Sequence, residues 1–282
     1  MAGTAPLDLG NLFSARGLVA LVTGGGTGIG LMMARALAEA GAHRVYIVGR
    51  RVEVLQAAAA SIGKPSVIPL YCDVTSKVSL ESVLSVVETD VGYLNLLVCN
   101  SGIGGPQAKP PTPETSLEAW REAQLAVDPE EYTNTFRVNC TSVWYTTMAF
   151  LKLLDNGNKK GNVEQPSQVV VTSSIAGFNK KAPGGYPYGS SKAAATHIAK
   201  QLSLVLPTWG IRANCIAPGL FPSEMSAPIV QAAGGSSGGG EGYIPLDTSI
   251  VPLGRMGDTQ DLAGAMLAGR IPRLILYVIL SD

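Results

Sequence analysis

The feature that most constrains this 282-residue chain is a regular alternation of short apolar runs with segments of helical period. Leu18–Thr23, Val45–Val48, Val67–Cys72, Leu94–Cys99, Gln168–Thr172 and Ile211–Ala217 read as strands. Ile29–Ala40, Val52–Ser61, Ser79–Glu88, Glu130–Leu154 and Tyr188–Leu206 read as helices. Strands that are apolar on both faces need a helical layer above and below them, which is the arrangement of a doubly wound parallel sheet. A hydrophobic content of 46% fits such a sheet, and the length fits one domain over residues 1–282.

Several segments interrupt the rhythm. Residues 1–17 form an N-terminal extension. Gly102–Thr115, rich in Pro and Gly, predicts a long loop, and Asp155–Pro166 a polar surface loop. Residues 220–250 predict a substrate loop or lid; within it Gly234–Gly242 is flexible by composition, and reads either as the lid tip or as a tolerated surface insertion. Asp128-Pro129-Glu130-Glu131 predicts a helix start, with an N-cap, a proline at N1 and an acidic first turn.

Lys+Arg and Asp+Glu are equal at 21 each, so no net charge steers the chain toward nucleic acid or an acidic membrane surface. The late run Leu274–Leu280 is too short to span a bilayer, and the N-terminus lacks the basic and apolar regions of a secretory leader, so the expected location is cytoplasmic. Cys72, Cys99, Cys140 and Cys215 are scattered, which predicts buried reduced thiols rather than disulfides or a metal site. Of the only two histidines, His43 and His197, the latter falls five residues past Lys192, off the Tyr188–Lys192 face, so both read as structural or exposed and no Ser/His/Asp hydrolase reading survives.

Between the first strand and the first helix lies Thr23-Gly24-Gly25-Gly26-Thr27-Gly28-Ile29-Gly30. Missing side chains at a helix start let backbone amides approach phosphate, as in a dinucleotide pyrophosphate site. The second strand ends Val48-Gly49-Arg50-Arg51. Nucleotide folds place an acid near this point for a ribose 2′-OH, or an arginine for a 2′-phosphate, so glycine followed by two cations favours NADP(H). Tyr188 and Lys192 stand four apart on a predicted helix, with Cβ atoms roughly 5–6 Å from each other. Lys192 would favour the phenolate of Tyr188, whose ordinary pKa of about 10 is high for proton transfer near neutrality. A nucleotide site beside a tunable proton donor points to hydride transfer at a carbonyl.

TGGGTGIG, Cys99-Asn100-Ser101-Gly102, Asn139, Ser173-Ser174, Tyr188-x-x-x-Lys192 and Pro218-Gly219 follow one another as in the short-chain dehydrogenase/reductase family. The chain resembles that family from about Leu18 to Leu267, and most of all its 3-oxoacyl-carrier-protein reductase-type ketoreductases. The resemblance implies a Rossmann-like fold and an NADP(H)-dependent carbonyl reductase or alcohol dehydrogenase. It implies a pyrophosphate turn at Gly24, Thr27, Gly28, Ile29 and Gly30, and an adenine-contacting acid at Asp73, followed by Val74. Asn100 to Gly102 would let the backbone pass the cofactor ribose, Pro218 and Gly219 would flank nicotinamide, and Ser223 would bond its carboxamide. Tyr188 would be the acid/base, Ser174 the partner of the substrate oxygen, Lys192 a ribose ligand, and Asn139 a helix-bending holder of a relay water. The family pattern also implies a small-molecule carbonyl or alcohol substrate and self-association as a homodimer or homotetramer.

The chain leaves the pattern at residues 268–282. Pro272 predicts an early helix stop, and the last strand is in doubt. An altered reading frame, alternative splicing and divergence would each account for this. Leu274–Leu280 is expected to fill, imperfectly, the sheet-edge slot of the last strand. A cofactor-binding protein that has lost catalysis, serving in partner interaction or redox sensing, is the competing reading. The substrate itself is not written in the sequence.

Overall fold

The computed structural model describes residues 13–107, 111–180, 184–232, 244–248, 251–268 and 277–280. Its strands are β1 (Val19–Thr23), β2 (Arg44–Gly49), β3 (Val67–Tyr71), β4 (Leu96–Cys99), β5 (Gln168–Thr172), β6 (Arg212–Pro218) and β7 (Tyr277–Leu280). They form one parallel sheet in the order β3-β2-β1-β4-β5-β6-β7. The six expected strands all form, their ends moved by no more than two residues.

The helices are α1 (Gly28–Glu39), α2 (Val52–Ile62), α3 (Lys77–Asp90), α4 (Leu117–Leu125), α5 (Pro129–Phe136), α6 (Ser142–Lys160), α7 (Tyr186–Val205), α8 (Ala227–Ala232) and α9 (Thr259–Ala268). Successive strand residues point to opposite faces of the sheet. Val19 and Leu21 of β1 therefore pack with α3, α6 and α7, through residues such as Val83, Phe150 and Ala199. Ala20 and Val22 pack with α1, α2 and α9, through Met33, Leu37, Leu55 and Leu262. Burial on both faces is why β1 and β5 read as unbroken apolar runs. Truncating a side chain as deeply set as Phe150, 1% exposed, to alanine would cost about 3–5 kcal/mol.

Two expected boundaries are corrected. The predicted helix Glu130–Leu154 is longer and not uniform: α5 passes through a π turn, Arg137–Thr141, into α6, which ends at Lys160. Its first six residues past Leu154 take up half of the expected Asp155–Pro166 loop. The polar side chains there are satisfied outside the helix, Asn156 donating to the Gly92 carbonyl and Asn158 to that of Gly210 while accepting from the Ser167 amide. The helix α4 was not legible because it buries no residue; Leu117 and Leu125 are exposed, and only the Ser116 cap, accepting from Ala119 N, marks its start. The Asp128 cap on Glu130 N and Pro129 at the start of α5 are as expected.

At the C-terminal end the doubt about a last strand is resolved: the backbone of Tyr277–Leu280 runs parallel to β6, in register from Cys215↔Tyr277 to Pro218↔Leu280. Residues 274–276 and Pro272 lie outside the described residues, as do Gly234–Gly242 and the first twelve residues of the N-terminal extension. All four cysteines are free and buried, and both histidines are exposed. No helix among the described residues is long and apolar enough to cross a membrane.

Candidate active site

The chain builds β1, β2 and β3 outward, then crosses to begin β4 on the other side of β1. Where strand order reverses in this way, a crevice opens beyond the carboxyl ends of the strands. Here it is a cavity of about 750 Å³ whose walls come from the segments after β1 to β6. With strands about 4.8 Å apart, the ends of β3 and β5 are separated by roughly 19 Å, room for an extended ligand.

The floor is the glycine turn. Gly28 has φ +51, a left-handed backbone that favours glycine, and a Cβ on Gly30 would overlap the Gly24 carbonyl and come within 2.6 Å of Asn100 Nδ2. Thr27 holds the N-cap position of α1 without bonding a helix amide, and the first turn carries no acid, so its backbone donors face the cavity without a side-chain cap. Thr23, which the sequence reading did not single out, stitches the turn to β4. Its Oγ1 accepts from the amides of Asn100 (2.9 Å) and Ser101 (3.0 Å), while Asn100 Nδ2 donates to the Thr23 carbonyl at 3.0 Å.

At the β2–β3 end, Arg50, Arg51, Asp73 and Val74 all line the cavity. Burial works against the Asp73 carboxylate, but hydrogen bonds from the Thr75 hydroxyl and amide and the charge of Arg50 outweigh it and hold its pKa below the usual range. Arg51 makes a two-pronged ion pair with Glu224 at 3.0 and 2.9 Å. Nothing in the sequence pointed to Glu224, which is 173 residues away. Ser223 also lines the cavity and sits over Gly28, its hydroxyl bonded to Ser226 Oγ at 3.1 Å.

The other end is set by β5 and α7. Tyr188 and Lys192 share one face of α7 and both line the cavity, whereas Tyr186 starts the helix at the surface. Burial raises the Tyr188 phenol, and a hydrogen bond with Ser174 lowers it. Ser174 itself caps the turn after β5, accepting from Ala176 N at 3.1 Å. Lys192 is 4% exposed; its Nζ lies 5.8 Å from the Tyr188 ring centre and donates to the Thr172 carbonyl at 2.8 Å. Burial depresses the lysine to about 8, against the opposing pull of the Cys215 and Cys140 thiols. The hydrogen bond that favours the Tyr188 phenolate in this structure thus comes from Ser174, while Lys192 is turned onto the strand end.

Asn139 occupies the π turn between α5 and α6, so the helix is locally widened where a bend was expected. Its Oδ1 accepts from Ile103 N, and its Nδ2 donates to the Ile103 carbonyl and Ser191 Oγ, all at 2.9 Å. It pins the Gly102–Ile103 strand-end segment beside Lys192 rather than lining the cavity itself. Pro218 and Gly219 stand at the end of β6, outside the lining, as does Ser174. Ile103, Val138 and Met225 supply an apolar wall that sequence reasoning did not foresee. No periodicity marks them, because they come from three separate loops and turns.

Residues 18–234 match the family described as short chain dehydrogenase. The chain belongs to that family. It is 46% identical over 267 residues to the short-chain dehydrogenase/reductase PhomF of Diaporthe leptostromiformis, covering 94% of this chain and 88% of that one. It is 29% identical to the rhamnolipids biosynthesis 3-oxoacyl-[acyl-carrier-protein] reductase of Pseudomonas aeruginosa, covering 91% and 90%. Among solved structures, the Pseudomonas aeruginosa RhlG/NADP active-site complex superposes with a TM-score of 0.76 at 28% identity, covering 95% and 96%. As a short-chain dehydrogenase the chain binds a nicotinamide cofactor and is an oxidoreductase acting on CH–OH or C=O groups of small molecules, resembling the ketoreductases of the family.

Proposed function

We propose that this short-chain dehydrogenase is an NADP(H)-dependent carbonyl reductase with Tyr188 as its acid/base. The observation that carries the reading is that Tyr188 and Lys192 line the same cavity as the glycine turn, with Ser174 hydrogen-bonded to the Tyr188 side chain. The residues fit the cofactor: Gly30 leaves a cradle that a Cβ would fill, and uncapped amides of α1 face it.

The glycine turn would hold the pyrophosphate, Arg50 and Arg51 the 2′-phosphate, and Asp73 the adenine end. Bound there, the nicotinamide supplies the hydride. The substrate carbonyl lies between Ser174 and Tyr188, and Tyr188 gives it a proton as negative charge develops on oxygen. Lys192, charged below its pKa of about 8, would hold the cofactor ribose. Its ammonium would pass a proton to the Tyr188 phenolate left after Tyr188 has given its own to the substrate, regaining one from solvent. Both amide protons of Asn139 are already committed, so a relay water would use its carbonyl oxygens. In the reverse direction Tyr188 is the base.

The NADP(H) preference rests on Arg50 and Arg51 at the cavity and on Gly49, where an acid would otherwise bind a ribose hydroxyl. A structural relative solved with NADP supports it, while another, 23% identical, was solved with NADH. Oxidation of NADPH and of NADH across a panel of ketones and β-keto thioesters tests the reading. Turnover with NADPH that falls sharply in Arg50→Ala, with NADH little changed, is expected. Equal turnover of both cofactors by wild type would remove the NADP(H) assignment.

A further inference from the structure

The segment after β6 does not stay at its own end of the sheet. The ends of β2 and β6 are four strand intervals apart, roughly 19 Å. The chain nevertheless returns across the cavity: Ser223 stands over Gly28, and the next residue, Glu224, meets Arg51 at the start of α2 with both carboxylate oxygens. Both partners line the cavity and keep more than half of their side chains in solvent, 54% for Arg51 and 62% for Glu224.

This contact changes the electrostatics of the end where a 2′-phosphate would lie. Arg50 and Arg51 are matched there by the carboxylates of Asp73 and Glu224, so the formal charge of the four lining groups is zero. Glu224 also occupies two guanidinium donors of the five that an arginine offers, in the fork geometry that a phosphate would need. An exposed ion pair of this kind contributes little, so a phosphate dianion can displace it. It does so against a neighbouring negative charge.

We propose that Glu224 is a specificity-determining residue that weakens binding of 2′-phosphorylated dinucleotides by competing for Arg51, and so narrows the preference for NADPH over NADH. The inference rests on the NADP(H) reading above. Glu224 opposes only the ligand that carries the extra phosphate, whose charge is about −1.5 to −2 near neutrality. NADH, with hydroxyls at that position, meets the same surface without this repulsion.

Fluorescence titration of NADPH and NADH with the full chain, wild type and Glu224→Gln, tests it. The exposed position and near-isosteric change should leave the fold intact. Glu224→Gln should bind NADPH about five- to tenfold more tightly and NADH within twofold of wild type, and the gain should shrink between about 0.05 M and about 0.5 M salt as the charges are screened. If wild type prefers NADPH but Glu224→Gln leaves that preference unchanged, the assignment of Glu224 fails alone. A reduced preference would also overturn it, because Glu224 would then be holding Arg51 in place for the phosphate. If wild type and Glu224→Gln both bind the two cofactors equally, the NADP(H) reading fails and this inference with it.

Discussion

Lys192 should make the folded protein less stable than it would otherwise be, and Lys192→Met should reveal the cost. The side chain is 4% exposed, and burial depresses its pKa from 10.5 to about 8. At roughly 1.36 kcal/mol per unit, holding the charged amine in place near pH 7 costs on the order of 3 kcal/mol. Methionine removes that cost but leaves the Thr172 carbonyl without its donor, a loss of about 1–3 kcal/mol. The net at pH 7 lies between about zero and +2 kcal/mol, or up to roughly 6 °C in Tm. The sign of the pH dependence follows from linkage. Below pH 8 both states hold the proton and the full cost is present; between about 8 and 10.5 only the unfolded chain holds it, so wild-type stability rises with pH. The advantage of Lys192→Met should therefore be greatest below pH 8 and mostly gone by about pH 10, where the orphaned carbonyl makes the variant the less stable protein. Thermal unfolding of the two cofactor-free proteins across this range provides the measurement. A variant destabilised by the same amount at pH 7 and pH 10 would refute the claim that a buried charge is being maintained for function.

Other perturbations give equally definite outcomes. Gly30→Ala drives a methyl into the Gly24 carbonyl and Asn100, so it should cost about 1–3 kcal/mol in thermal unfolding and abolish cofactor binding by calorimetry; wild-type binding would mean that the turn is not the cradle. Asn139→Ala strips partners from both backbone groups of Ile103, and should lower stability by about 2–4 kcal/mol and slow turnover more than it raises KM. Deleting Arg273–Asp282 removes β7 and bares the β6 edge, which should lower solubility and Tm; a deletion variant as soluble and as stable as wild type would show that this strand contributes nothing.

What the sequence could and could not disclose follows from where the physical signal resides. The strands were legible because a sheet covered on both faces demands apolar side chains in unbroken runs, as in Val169, Val170 and Val171. The glycine turn was legible for a related reason: only a missing side chain lets Gly24, Gly30 and Asn100 come together. The helix α4 was hidden because its leucines face solvent, and the extension of α6 because its asparagines find partners only in the folded chain. At the site, Tyr188 and Lys192 announced themselves by helical spacing. The Arg51–Glu224 contact, by contrast, joins two loops that sequence proximity never brings together. The proton affinity of Tyr188 was anticipated through Lys192, yet it is set here by burial and by Ser174, since Lys192 Nζ is drawn to the end of β5.

On this mechanism Tyr188 delivers a proton to a carbonyl that receives hydride in this cavity. The most direct test follows deuterium from the nicotinamide C4 of labelled NADPH into the alcohol product, for wild type and Tyr188→Phe, alongside cofactor affinity. Label is expected in the wild-type product, with a loss of turnover of about 10²-fold or more in the variant and cofactor affinity within a few-fold of wild type. Undiminished deuterium transfer by Tyr188→Phe would contradict this mechanism.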